Sequence, residues 1–210
     1  MTTKKGDFIQ VNYTAKIKES GKVFDTTDNA LAQKENLHQH NQGPITICIG
    51  EHQVIEGFEK ALEGKEVKKE YTVSIEPGKA FGRKSAKLVQ LIPTSKLREQ
   101  KVTPQRGMQI IVDDNIGVIR VVSGGRVMVD FNHPLAGKEI TYTFTIERVL
   151  EDNKEKLKSI LKIALGKEPD IELEGQKATV KDEIPSQHQK FLKKKIPTLI
   201  PAINELEFKK

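Results

Sequence analysis

Residues 44–82 read PITICIGEHQVIEGFEKALEGKEVKKEYTVSIEPGKAFG, and the fold is decided within them. Residues 44–49 alternate apolar and polar, with β-branched Ile45, Ile47 and Ile49 on one side, which predicts a half-buried strand ended by Gly50. Ile55, Phe58, Ala61 and Leu62 then fall on one side of a helical wheel, so a short helix with an apolar stripe follows, and Gly64 stands where a C-terminal cap belongs. Tyr71, Val73 and Ile75 alternate as a second strand, closed by a turn at Pro77-Gly78. A strand laid across the apolar face of a short helix leaves a shallow concave floor. Ile45, Val54, Ile55, Phe58 and Phe81 are the candidates to line it.

Upstream, Phe8, Val11, Tyr13, Ala15 and Ile17 belong to a first strand, Ser20-Gly21 makes a hairpin turn, and Val23, Phe24 and Asp25 begin the return. Read alone, Tyr13 and Phe24 are core aromatics, and Asp25, followed by two threonines, is a turn carboxylate bonding nearby backbone. Residues 28–42 are polar without a clear period and predict a surface bulge. His38 and His40 within it are two residues apart, close enough to share a metal on an extended chain, but a solvated loop is the simpler reading.

VIEGFEKAL followed by EPGKAFG resembles the core signature of the FKBP-type peptidyl-prolyl cis-trans isomerases. VNYTAKIKESGKVFDTT at 11–27 is similar to that family's first strand pair, and VDFNHPLAGKEITYTFTIE at 129–147 resembles its last strand as written in the SlyD-like and archaeal long branch. The three blocks occur in order and cover about two thirds of the chain. The resemblance implies an α+β fold: an antiparallel half-barrel sheet wrapped on a short helix, a small inserted β-rich domain and a C-terminal α/β module. It also implies a non-covalent, metal-independent isomerase without a cofactor. Tyr13, Phe24, Asp25, Val54, Ile55, Phe58, Phe81 and Tyr142 are its expected catalytic residues, and Ile45, Ile47, Ala80 and Ile140 its further substrate contacts. Phe58 stands where many members have tryptophan, and Phe81 where a tyrosine is usual, so the latter offers no hydroxyl to a bound substrate.

After Gly82 a second unit interrupts the first. KLVQLIPTSKLRE begins with alternating apolar residues, Pro93 breaks it, and Ser95 caps a short helix. MQIIVDDNIGVIRVVSGGRVMVDFNHP then reads as three short strands joined at Asp113-Asp114-Asn115 and at Gly124-Gly125. In the family this corresponds to the insert-in-flap domain, to which the resemblance assigns chaperone activity. Its apolar residues are many for its size: Leu88, Leu91, Ile92, Met108, Ile110, Ile111, Val118, Ile119, Val121, Val122, Val127 and Met128. Roughly two thirds of them are expected in its core, and the rest on a surface suited to unfolded chains.

The last sixty residues lie outside the signature. Residues 153–166 predict an amphipathic helix with Leu157, Ile160, Leu161 and Ala164 on one side and a glycine stop. A hairpin about Gly175, a helix in SQHQKFLKKKI and a final strand ELEF follow, an αββαβ unit fit for docking or homodimerisation. The lysines 193–195 read as a solvated helix end. The expected domains are thus 1–86 with 131–151, 87–130, and 152–210.

Composition narrows the function further. The chain has 210 residues, and its formal charge of +6 comes from 35 basic and 29 acidic residues, so both signs are intermixed and no strong polyanion field follows. No apolar h-region opens the sequence and no run of about 18 apolar residues occurs, which argues against a membrane and for a cytoplasmic protein. The single Cys48 precludes an internal disulfide and sits as a packed thiol in an apolar strand. The expected partners are unfolded or nascent polypeptides containing proline, with no nucleic acid. The alternatives are a non-catalytic holdase that keeps the pocket as a peptide groove and, more weakly, a metal carrier through His38 and His40.

Overall fold

The computed structural model describes residues 1–37, 43–99 and 101–209. His38 and His40 lie outside the described residues, so the metal reading of that pair does not bear on the architecture. The chain forms two compact units, 1–74 with 141–210, and 75–140. The first holds a five-stranded and a three-stranded sheet, the second a four-stranded one.

The first unit begins with the long strand β1 (Phe8–Ile17), which supports two different neighbours. Its first half pairs antiparallel with β3 (Ile45–Cys48), from Phe8 opposite Cys48 to Val11 opposite Ile45. Its second half pairs with β2 (Val23–Thr26), and the register shifts between Ala15 and Lys16, across from Phe24. β9 (Ile140–Val149) lies on the other side of β1 and β4 (Glu70–Ile75) beyond it, so the order is β2-β1-β9-β4 with β3 beside β1. Alternation along β1 sends Ile9, Val11, Tyr13, Ala15 and Ile17 inward, all buried. The helix α2 (Glu56–Leu62) packs Phe58 and Leu62 against that face.

The described part of the expected polar bulge, residues 28–37, holds a helix. Asp28 caps a helix α1 (Asn29–Lys34), its Oδ1 accepting the N-H of Ala30 at 2.8 Å and of Leu31 at 3.1 Å. Ala32 is buried beneath it. An Asp at the N-cap satisfies donors that the first turn leaves free, and this local rule outweighs the lack of an apolar period in so short a helix.

The last sixty residues form α4 (Asn153–Leu165), the hairpin β10 (Ile171–Glu174) and β11 (Lys177–Val180), α5 (Ser186–Leu199) and β12 (Glu205–Phe208), which joins β11 in parallel. Asp152 caps α4 and Gly166 ends it in the left-handed conformation. The core of this segment includes Leu157, Leu161, Leu192 and Ile196, but it also takes in Phe8 and Cys48 from the outward side of β1 and β3. The segment therefore completes the first unit. Burial pushes the Cys48 thiol up to about 12, a packed and inert state, with the nearby Glu51 charge adding to the effect. The lysine run is not wholly solvated either: Lys195 pairs with Glu51, and Lys193 Nζ lies 5.8 Å from the centre of the Phe208 ring.

The second unit is a four-stranded antiparallel sheet of β5 (Val89–Pro93), β6 (Gln109–Val112), β7 (Asn115–Ser123) and β8 (Arg126–Asp130) in the order β5-β8-β7-β6. β5 adds a strand to the three that the pattern predicts, because its residues 89–93 find a full register against β8. The helix α3 (Thr94–Glu99) covers one face through Leu97, over Ile92, Ile110, Ile119, Val127 and Val129. Asp113 and Asp114 both take positive φ, 48° and 62°, the pairing that a tight two-residue hairpin requires.

Fewer apolar residues are covered than expected. Of the twelve candidates only Ile92, Ile110, Ile119 and Val127 are buried, while Leu88, Leu91, Met108, Ile111, Val121 and Val122 are exposed. One six-residue helix cannot cover two faces of a sheet.

Among the described residues no helix is long and apolar enough to cross a membrane. Gly117 in β7 has no room for a side chain: a Cβ there would lie 2.5 Å from Val129 Cγ1 and 2.7 Å from the Phe131 ring. Gly117→Ala is expected to cost the second unit about 1–3 kcal/mol. Gly78→Ala, whose Cβ would meet only Arg83 Nε at 3.9 Å, serves as the control. Denaturant unfolding followed by amide signals from β7 and β8 measures the difference, and equal midpoints for the two variants would contradict it.

Candidate active site

Three rings from distant parts of the first unit meet above its sheet. Phe58 from α2 stacks on Tyr142 from β9 at 4.1 Å between ring centres and 17° between planes. Tyr13 from β1 approaches Phe58 edge-on at 5.5 Å and Tyr142 at 5.6 Å. Phe144, two residues along β9, closes the far side of Phe58 at 5.3 Å. All four are buried, Phe58 to 1% exposure, so their packing in offset and edge-on pairs contributes beyond the area removed from water.

Tyr13 is fixed at both ends. Its hydroxyl donates to Asp25 Oδ2 at 2.6 Å. Its backbone N-H donates to Thr27 Oγ1 at 2.9 Å, and its carbonyl accepts the Thr27 N-H at 2.9 Å. Asp25 is thus more than a turn carboxylate bonding backbone. It is half-buried and holds a phenol hydroxyl at the border of the ring cluster. Phe24, its neighbour on β2, is also half-buried. Burial, and after it the negative charge of Asp25, pushes the Tyr142 hydroxyl above the ordinary phenol range.

The rim of the site comes from the β3–α2 connection. Val54 and Ile55 are half-exposed, and Ile55 is the N-cap residue of α2. Its carbonyl accepts the N-H groups of Phe58 and Glu59, both at 3.0 Å. Its own N-H makes no backbone hydrogen bond among the described residues. Ile45 is half-exposed, whereas Ile47 is as buried as the rings.

Ala80, Phe81 and Ile140 belong to the second unit as the contacts divide the chain. Phe81 lies flat on the His133 imidazole, ring centres 4.8 Å apart and planes 2° apart. Ile140 is fully buried. The His133 partner of Phe81 is absent from the pattern-based reading, since a histidine beside Pro134 reads only as turn residue. Glu59 was also missed. It falls inside the apolar stripe of α2, four residues after Ile55 and three before Leu62, and that placement was the available signal.

No group of three or more His, Cys, Asp or Glu side chains able to hold a metal ion occurs among the described residues. The rings form a buried aromatic cluster with one hydrogen-bonded carboxylate at its edge.

The FKBP-type peptidyl-prolyl cis-trans isomerase profile matches residues 1–102, and the profile described as FKBP26, IF domain, matches residues 90–135, which span β5 to β8. Over 148 residues the chain is 36% identical to the short-type peptidyl-prolyl cis-trans isomerase of Methanocaldococcus jannaschii, covering 70% of this chain and 93% of that protein. It is 32% identical over 139 residues to the FKBP-type isomerase SlyD of Haemophilus influenzae, covering 63% and 69%. With the FKBP-type 16 kDa isomerase of Escherichia coli it shares 29% identity over 143 residues, 66% of this chain and 87% of the other.

The raised Tyr142 value gives a pH dependence with a definite sign. The folded chain keeps this proton after the unfolded chain has lost it at the ordinary phenol value of about 10, so stability is full below that pH and declines as pH rises above it. In a titration at 295 nm Tyr142 is expected to ionise late, a component that Tyr142→Phe removes. Tyr142→Phe should flatten the alkaline fall of the melting temperature, and an unchanged slope would contradict the assignment.

Proposed function

The chain belongs to the FKBP-type peptidyl-prolyl cis-trans isomerase family and is an enzyme of that class, and from this we propose that it acts on unfolded or nascent proline-containing chains, which its inserted sheet recruits. The Xaa-Pro bond is held planar by amide resonance, with a barrier of about 18–20 kcal/mol. No covalent bond need break. The catalyst has only to favour the twisted amide over the planar one, and a thousandfold acceleration needs about 4 kcal/mol of such preference.

The ring cluster supports this chemistry. The twisted amide is less dipolar than the planar one, so a site lined by Tyr13, Phe58 and Tyr142 penalises it less than water does. In this reading Phe24 completes the aromatic wall. Ile45, Val54 and Ile55 grip the pyrrolidine ring, and the Ile55 N-H holds the carbonyl that follows proline. Asp25 keeps the Tyr13 hydroxyl turned to the edge, so the face of that ring stays apolar.

The single observation that carries the reading is the convergence of three rings from β1, α2 and β9 beside an ordered carboxylate.

The recruitment part rests on the second unit. Met128 in β8 pairs with Leu91 in β5 and with Val121 in β7, so these three side chains form one row on one face of the sheet. Leu91 is 59% exposed and Val121 47%. An apolar row of this kind binds extended or collapsed segments of a chain before they are buried. Methionine within it adapts to varied side chains. This face also supports a second reading, a holding activity independent of catalysis.

Two substrates separate the contributions. Asp25→Ala and Phe58→Ala are each expected to lower kcat/KM for a short Xaa-Pro peptide by about tenfold or more. Leu91→Asp with Val121→Asp should leave the short peptide nearly untouched but lower acceleration of a proline-limited protein refolding reaction by about tenfold. Equal losses on both substrates would contradict recruitment by the sheet. Suppression of aggregation without any peptide catalysis by the intact chain would favour the holding activity instead.

A further inference from the structure

We propose that Glu59 is a positioning residue of this isomerase: it locks the 50–55 segment to the helix that carries Phe58, so that rim and floor keep one geometry. Glu59 is a carboxylate only 5% exposed, in α2 between Phe58 and Leu62. A buried carboxylate is tolerated only when hydrogen bonds replace its lost water. Here one oxygen, Oε1, accepts two backbone donors, the N-H of Gly50 at 3.0 Å and of His52 at 2.8 Å. The other, Oε2, lies 3.1 Å from Nδ1 of His52, whose side chain is otherwise exposed.

The two backbone donors belong to the two residues of this segment with left-handed φ, +97° at Gly50 and +54° at His52. Non-glycine residues are uncommon in that region, although histidine enters it more readily than most. Gly50 has a second reason to be glycine, since a Cβ would fall 2.8 Å from the Lys5 side chain. Glu59 supplies the tether at both positions through one atom. Two further ties act on the same segment: Gln53 Oε1 accepts the Cys48 N-H at 2.7 Å, and Lys195 from α5 pairs with Glu51. Of the three, only the Glu59 tether connects the segment directly to the helix of the pocket floor.

The consequence for catalysis rests on the reading that Val54 and Ile55 hold the prolyl group. A rim free to move must be ordered at each binding event, and small misplacement of a binding group carries a large penalty in rate. Because both N-H groups share one oxygen, glutamine can reproduce the two bonds with its carbonyl. Leucine, of similar volume, cannot.

The test uses the full chain with Glu59→Gln, Glu59→Leu and, as a control for simple destabilisation, Leu192→Ala in the core beneath α5. Short-peptide kcat/KM, melting temperature and amide exchange at Gly50 and His52 are measured for each. Glu59→Leu is expected to lose about tenfold or more in kcat/KM and to lose amide protection at both positions. Glu59→Gln should stay within about threefold of the parent and keep that protection, because its carbonyl accepts both bonds. Leu192→Ala should lower the melting temperature without loss of kcat/KM at a temperature where it is folded. The proposal is overturned if Glu59→Leu retains parental activity, if Glu59→Gln is as poor as Glu59→Leu, or if activity in the three variants merely follows melting temperature. Should Glu59→Leu fail to fold, unprotected Gly50 and His52 amides in the parent or a poor Glu59→Gln overturns it, and protection with an active Glu59→Gln supports it. Exchange is read without substrate, so an inactive parent with protected amides would count against the pocket reading and not against the tether.

Discussion

The contact between Phe58 and Tyr142 is the constraint from which the first unit takes its form. A helix of seven residues is too short to persist alone, and α2 exists because Phe58 and Leu62 leave water together against the sheet. The stacking distance fixes how closely the helix approaches β9. Tyr13 then fills the remaining angle, and its hydroxyl, which cannot be buried unpaired, finds Asp25. Fold and candidate site are here the same set of contacts.

Much of this was legible in the sequence because side-chain period reports directly on which face is covered. The alternation at Ile45, Ile47 and Ile49, and the helical spacing from Ile55 to Leu62, placed β3 and α2 to within a few residues. The meeting of Tyr13, Phe58 and Tyr142 was not a matter of period. It joins residues more than a hundred positions apart, and only the resemblance of three ordered blocks to a known family brought them together on the page. Phe24 is placed on β2 beside Asp25, as that resemblance implies, with its role in the aromatic wall resting on the proposed chemistry.

What escaped the sequence were arrangements that no local rule encodes. Alternation says that a strand has two faces, but not whether a second layer exists to cover each, so the exposed row on the second unit was underestimated. A carboxylate within an apolar stripe reads as an error in the pattern until its two backbone donors are seen. Lys195 reads as one of three solvated lysines until α5 is laid beside Glu51. In each case the deciding partner is supplied by tertiary structure.

The core that Phe8 and Cys48 share with Leu192, Ile196 and Leu206 bears on how the polypeptide folds. The outward side of β1 is sealed only by side chains that lie far along the sequence. Until α5 and β12 dock, that side remains wetted, and closing so long a loop delays the contact. The isomerase is therefore itself a slow-closing chain, its first strand unsealed until α5 arrives.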